Sequence, residues 1–389
     1  MQQKQNALQL AAVASALLLS STIHAQSSVT LYGFIDEGIN FTSNASGHSV
    51  WQMVGGNIAG SRFGIKGSED LGNGYKAVFQ IENGFNINSG QLAQESRIFG
   101  RQAFFGLSSD RYGTITLGRQ YDTSVDTLGF ASLTGVLSWG GDVTTHPFDN
   151  DNADWDFRVS NAIKYVTPTY HGLTGEAMYA FGNDANSFAN NRLWGATLNY
   201  HSGELTAAIS YLKMNHPGQT TSGAISSGEL FDASSQQDVG VAVHYRFPKI
   251  AIGVAWSHVD VYGPTGNAWL GNVDLPNEAR WNSWKFDNLE VNAQYYFKPN
   301  FWLGAVYTFT MAHLSANDSR YVPKWHQLAF MLDYDVSKRT SLYAQAAFQH
   351  VVSAHTGTSF DEARIVDASA AASGGVNQMV FRLGIMHTF

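Results

Sequence analysis

Phe381-Arg382-Leu383-Gly384-Ile385-Met386-His387-Thr388-Phe389 decides the fold. Phe381, Leu383, Ile385, His387 and Phe389 occupy every second position, and Arg382, Gly384, Met386 and Thr388 fill the gaps. A strand sends alternate side chains to opposite faces, so one face is largely apolar and the other mixed. The sequence stops on the aromatic. A strand ending there in water would leave an adhesive edge. In a closed transmembrane barrel the apolar face meets lipid and no edge remains.

The other end of the chain agrees. One early positive charge, Lys4, precedes an apolar run from Leu8 to Leu19, and Ile23-His24-Ala25 makes a small-residue cleavage site. This pattern is that of a secretory signal peptide over residues 1–25, with a mature chain from Gln26. The run is short for a ~20-residue membrane helix.

Composition narrows the class further. Hydrophobic residues make up 44% of the chain, yet no later stretch approaches eighteen consecutive apolar residues, which excludes helical spanning. Gly is abundant at 38, Tyr, Phe and Trp number 17, 24 and 10, and Pro is scarce at 8, which suits many strands, tight turns and aromatic girdles. Cysteine is absent, so disulfides, thiolate catalysis and Cys-based metal sites are out. A net charge of −8 argues against a nucleic-acid partner. No linker or charge block divides residues 26–389.

Segments of ~10 residues alternate along the whole of that region. Leu289, Val291, Ala293, Tyr295 and Phe297 oppose Glu290, Asn292, Gln294, Tyr296 and Lys298. Val239, Val241, Val243, Tyr245 and Phe247 oppose Asp238, Gly240, Ala242, His244 and Arg246. Sixteen such strands are expected, at 28–41, 57–68, 75–86, 98–107, 114–121, 158–167, 173–182, 192–201, 204–214, 237–247, 250–261, 286–297, 301–313, 324–335, 340–352 and 377–389. Short connections such as Ser202-Gly203 and Pro248-Lys249 alternate with long ones near 42–56, 87–97, 122–157, 183–191, 215–236, 262–285, 314–323 and 353–376. Short turns on one side and long loops on the other are what an outer-membrane barrel produces. The fold expected is a 16-stranded antiparallel transmembrane β-barrel facing outer-membrane lipid.

Several motifs carry a family resemblance. Val29-Thr-Leu-Tyr-Gly-Phe-Ile-Asp36, Ser61-Arg-Phe-Gly-Ile-Lys-Gly-Ser-Glu-Asp-Leu-Gly72, Phe79-Gln-Ile-Glu-Asn-Gly-Phe85, Phe99-Gly-Arg-Gln-Ala-Phe104, Gly113-Thr-Ile-Thr-Leu-Gly-Arg-Gln-Tyr121 and Asn161-Ala-Ile-Lys-Tyr165, with the terminal Phe389, resemble the trimeric general porins of Gram-negative bacteria, of the beta-proteobacterial type. The resemblance implies a homotrimer of water-filled barrels passing small hydrophilic solutes and ions. It also implies a third outer loop, here 122–157, that folds into the lumen and narrows it. Wall arginines then face acidic groups on that loop, and the terminal Phe389 serves as an assembly signal.

The residues matching the basic motif positions are Arg62, Arg101 and Arg158. Alternation independently turns Arg62 and Lys66 inward, because Phe63 and Ile65 take the other face, and turns Arg158 and Lys164 inward opposite Val159, Ile163 and Tyr165. Arg101 shares a phase with the outward-reading Ala103, Phe105 and Leu107, so resemblance alone carries it. Glu82 is in phase with Lys76 and Gln80 and should face the lumen. Asp122 and Asp126 open the long loop and are acidic candidates for the constriction, with loop-fixing hydrogen bonds as the alternative role. Arg119 could face inward or anchor the loop, and its neighbours Leu117 and Tyr121 place it outside the lumen. Selectivity set by such side chains at a narrow point would favour small anions.

No cofactor or metal is implied. Asp149-Asn-Asp-Asn-Ala-Asp-Trp-Asp156 has some calcium character but lacks the glycine and final Glu of an EF-hand, and reads as a polar loop stem beside Arg158. The 13 His show no HExxH or other tight ligand spacing. Trp51, Trp256, Trp281, Trp284, Trp302 and Trp325 fall near strand ends, as interfacial belts do. A substrate-selective channel, and an outer-membrane barrel hydrolase, are the alternatives. The second needs a nucleophile or metal constellation, and no Ser/His/Asp arrangement supplies one.

Overall fold

The computed structural model describes residues 28–131, 140–153, 157–226, 230–271, 273–275, 279–317 and 319–389. The expected signal peptide lies outside the described residues. Eighteen strand segments form one antiparallel sheet. They are β1 (Ser28–Ala45), β2 (His48–Gly55), β3 (Arg62–Gly72), β4 (Tyr75–Gly84), β5 (Gln102–Ser109), β6 (Gly113–Gln120), β7 (Val159–Val166), β8 (Leu173–Ala180) and β9 (Arg192–Ser202). The second half holds β10 (Leu205–Asn215), β11 (Ser235–Arg246), β12 (Ile250–Tyr262), β13 (Trp281–Lys298), β14 (Phe301–Ala316), β15 (Ser319–Tyr321), β16 (Lys324–Ser337), β17 (Thr340–Val352) and β18 (Asn377–Thr388).

These segments make sixteen staves. The lower half of β1 pairs with β3 through Ser28↔Ser68 to Phe34↔Arg62, and its upper half pairs with β2 through Glu37↔Gly55 to Ala45↔His48. β2 and β3 are therefore one stave, interrupted at residues 56–61. β15 and β16 share a second interrupted stave along β14. The sequence reading missed β2, placing 42–56 in a long loop and starting the next strand at 57. Its polar start at His48-Ser49 and the Gly55-Gly56 pair obscured the strand.

β18 closes the barrel on β1 from Phe34↔Thr388 to Thr42↔Val380. The Phe389 N–H donates to the Gly33 carbonyl at 2.9 Å, and the Gly33 N–H donates back at 3.2 Å. A Cβ on Gly33 would stand 2.5 Å from the Phe389 ring, so the close approach requires glycine there.

The expected alternation sorts the faces. Leu289, Val291, Tyr295, Leu303, Tyr307, Leu328 and Phe330 are exposed on the outside, while Asn288, Glu290, Asn292, Thr308, Thr310 and Gln327 are buried on the inside. Aromatic pairs ring the short-turn end: Tyr245–Phe247 at 4.6 Å, Tyr295–Phe297 at 5.1 Å and Phe297–Phe301 at 5.2 Å between centroids. The tryptophans differ from expectation. Trp51 and Trp256 point outward, but Trp281, Trp284, Trp302 and Trp325 are buried. Of these, Trp281, Trp284 and Trp325 pack with Phe148 and Phe360 from two long loops.

Candidate functional site

The described parts of the connection from β6 to β7, residues 121–131, 140–153 and 157–158, bond and pack along the inner wall. Its helix α1 (Thr123–Ala131) starts at Asp122, whose Oδ1 accepts the N–H of Ser124 at 2.7 Å and of Val125 at 3.2 Å. That is an N-cap, satisfying donors that the first helical turn leaves open. Leu128 then seats against Ala208, Ala242 and Ala255, small residues on three adjacent strands. A Cβ on Gly240 would come within 2.3 Å of Leu128, so the wall is shaped to the helix. Beyond the helix, Gln345 donates to the Gly140 carbonyl at 2.5 Å, and Gln327 to the Val143 and Thr145 carbonyls at 3.0 and 3.1 Å. Asn288 donates to Asn150 at 2.7 Å, and Ser257 bonds Asp151. The strand partners occupy the positions that alternate with the lipid-facing row, so the segment runs inside the barrel.

Three arginines meet beside this segment. Arg62 opens β3 and donates through Nε to the Gly60 carbonyl at 2.9 Å, with its guanidinium 4.4 Å over the Phe34 ring. Arg101 donates through Nε to Glu82 Oε1 at 2.9 Å, and Arg62 Nη1 stands 3.8 Å from the same oxygen. Tyr32 donates to the other oxygen, Oε2, at 2.8 Å. Arg101 Nη2 and Arg158 Nη2 both donate to the Tyr121 hydroxyl, at 2.5 and 3.1 Å. Arg62, Arg101, Arg158 and Glu82 are all buried. Two guanidiniums thus meet at Glu82, and Tyr121 links the third, Arg158, to Arg101.

The lysines are placed differently. Lys66 is exposed, on the Arg62 face of β3, with its ammonium 5.2 Å from the Tyr32 ring centre. It lies four residues from Arg62, roughly 13 Å along the strand. Lys164 on β7 is buried, bonds Asp126 in the first turn of α1 and donates to the Tyr121 carbonyl at 3.2 Å. Glu176 on β8 also acts on Lys164 electrostatically. One ammonium here lies between two carboxylates, so the site divides into an arginine group and an acidic group at the start of α1.

The structure brings Arg62, Arg101, Arg158 and Glu82 together, and separately Lys164 with Asp126. It departs from the sequence reading at several positions. Of the two roles open to Asp122, its hydrogen bonds match the loop-fixing one: both its oxygens are engaged, Oδ2 by Asn152 at 2.7 Å, and burial pushes its carboxyl above the usual range. Arg101 escapes its apparent outward phase because β5 begins one residue later, at Gln102. Val159, expected outward, is fully buried. The register slips between Gly118↔Ala162 and Gln120↔Val159, a bulge on β7 at Ser160 and Asn161, where Asn161 has φ 56°. Arg119 takes the anchoring role that its sequence left open, donating to the Gly100 carbonyl and the Ser160 hydroxyl at 2.7 Å each. Tyr121 and Glu176 are the members that sequence reasoning missed. Gly118 inside a strand was the available signal, since an isolated strand glycine marks bulges. Part of the 149–156 acidic stretch lies outside the described residues. Its Asp151 bonds His146 at 2.7 Å, and no group of three or more His, Asp or Glu able to hold a metal occurs among the described residues.

Known proteins resemble this chain in sequence and in fold. The sequence model described as "Gram-negative porin" matches residues 10–352. An outer membrane porin protein of Bordetella pertussis is 30% identical over 384 residues, covering 86% of this chain and 93% of its own. The major outer membrane protein P.IB of Neisseria meningitidis serogroup B is 32% identical over 323 residues, covering 72% and 87%. Among solved structures, an anion-selective porin from Comamonas acidovorans superposes with a TM-score of 0.72 at 21% identity, covering 94% of this chain and 100% of its own. The trimer form of OmpT from Vibrio cholerae gives 0.65 at 15% identity, covering 93% and 99%.

Proposed function

Since this chain belongs to the Gram-negative porin family, and its barrel is an outer-membrane channel for passive diffusion, we propose that the channel works as a homotrimer, favours small anions and is filtered by Arg62, Arg101 and Arg158. The observation that carries the anion preference is the gathering of three guanidiniums in one cluster, Arg62 and Arg101 at Glu82 and Arg101 and Arg158 at the Tyr121 hydroxyl. Their field outlasts that of the acidic outer loops for a physical reason. Buried charges are screened far less than exposed ones, whose influence fades over ~8 Å at physiological salt. The net charge of −8 is therefore a poor guide to the filter. Lys66 adds a wetted positive charge further along the same face. Asp126 and Glu176 offset Lys164, so the preference is modest. Two relatives lend support: the Comamonas protein is described as anion-selective, and the Vibrio protein as a trimer. Residues 1–25 act in this reading as the export signal.

Replacing Arg62 and Arg158 together by Gln tests the assignment. The reversal potential in a planar bilayer under a salt gradient should move toward cations, and the shift should shrink as salt rises. Barrel stability should change little in the same variant. An unchanged reversal potential would remove these arginines from the filter.

A further inference from the structure

Tyr121 stands where two guanidiniums converge. Its hydroxyl takes an N–H from Arg101 at 2.5 Å and from Arg158 at 3.1 Å, and its ring lies 6.0 and 5.0 Å from their carbons. The side chain is buried. Its backbone carbonyl also accepts from Lys164 at 3.2 Å. Arg101 belongs to the β4–β5 connection, Arg158 precedes β7, and Lys164 lies on β7. One residue at the start of the inward loop thus binds cations from separate elements. Two like charges brought this close repel, and an oxygen that accepts from both offsets that cost.

We propose that Tyr121 is the positioning residue of the anion filter: its hydroxyl gathers Arg101 and Arg158 at one point, and its ionisation withdraws one unit of their positive field. This rests on the arginine filter proposed above. The phenol loses its proton to hydroxide from solution, and the phenolate oxygen keeps both guanidinium bonds. The surroundings favour that step. Burial alone pushes the phenol up, but Arg101, Arg158 and Arg62 outweigh burial and the nearby Glu82, and hold it below its ordinary value. Anion preference should then fall with rising pH sooner than an ordinary tyrosine would allow.

The test is Tyr121→Phe in the full-length protein, with reversal potentials taken in planar bilayers from neutral to alkaline pH. Phe keeps the ring under the cations but removes the acceptor and the titration. At neutral pH the variant's anion preference should fall by about half, as the cluster loosens. On the alkaline side the wild type should lose preference while the variant changes much less. Any other group that changes charge at high pH does so in both proteins, so the difference between the two curves is the readout. Circular dichroism and resistance of the oligomer to heat in detergent establish that the variant folds. If the wild type prefers anions and the two curves coincide, Tyr121 has no such role and the arginine filter stands. If the wild type shows no anion preference at neutral pH, the filter itself is wrong.

Discussion

Asp122 and Tyr121 are adjacent in sequence and serve opposite ends of the site. Tyr121 organises cations, while Asp122 caps α1 and binds Asn152. Alternation could place Arg62 and Lys66 because β3 is regular through both. It failed at Tyr121 because the chain leaves β6 at Gln120, so consecutive side chains both turn inward. It also failed to separate the two roles open to Asp122, since charge in a sequence carries no record of which donors are nearby. The cap has a measurable consequence. Asp122→Ala should cost about 1 kcal/mol of helix stability and increase open-channel current noise as the inward segment loosens. Asp122→Asn retains an acceptor and should stay close to wild type. Equal noise in both variants would mean that the cap does not hold the segment.

At the level of elements, the strand pattern was legible wherever one face meets lipid. β13, β14, β16 and β17 fall within a few residues of their expected spans, because the middle of each outward row is apolar. β2 was illegible for the converse reason: polar Ser49 shares the row of Trp51 and Met53, while Val50 and Val54 put apolar residues in the other row beside His48 and Gln52, so neither row reads as apolar. The inward path of the 122–157 connection was expected from resemblance alone. Its wall contacts depend on Gln327, Gln345 and Asn288, which are distant in sequence and polar without periodicity. The final strand is the element on which closure depends. Arg382, fully buried on β18, donates to Asn40 across the seam at 2.9 Å and reaches Asp142 of the inward segment at 3.3 Å. Removing Phe389 deletes the last pair of bonds to Gly33 and the ring that covers it. We expect the truncated chain to assemble poorly. Intact mass in mild detergent should give three copies for the wild type and a sharply reduced trimer yield for the truncated chain. A wild-type monomer, or normal trimer yield after truncation, would contradict this.

The whole molecule combines a net acidic chain with a cationic cluster inside a closed barrel. Distribution matters more than the sum, because a channel discriminates at its narrowest charged point. The loops pack aromatic side chains, among them Phe148 and Phe360, against the inner wall near Trp284 and Trp325. The arginine group is built from β3 and the approaches to β5 and β7. The most direct measurement is the zero-current potential of the purified wild-type protein in a planar bilayer between concentrated and dilute potassium chloride at neutral pH. Chloride crossing faster than potassium should charge the dilute side negative, with a magnitude that grows as both solutions are diluted. A dilute side that charges positive would contradict the arginine filter and assign selectivity to the carboxylates around α1.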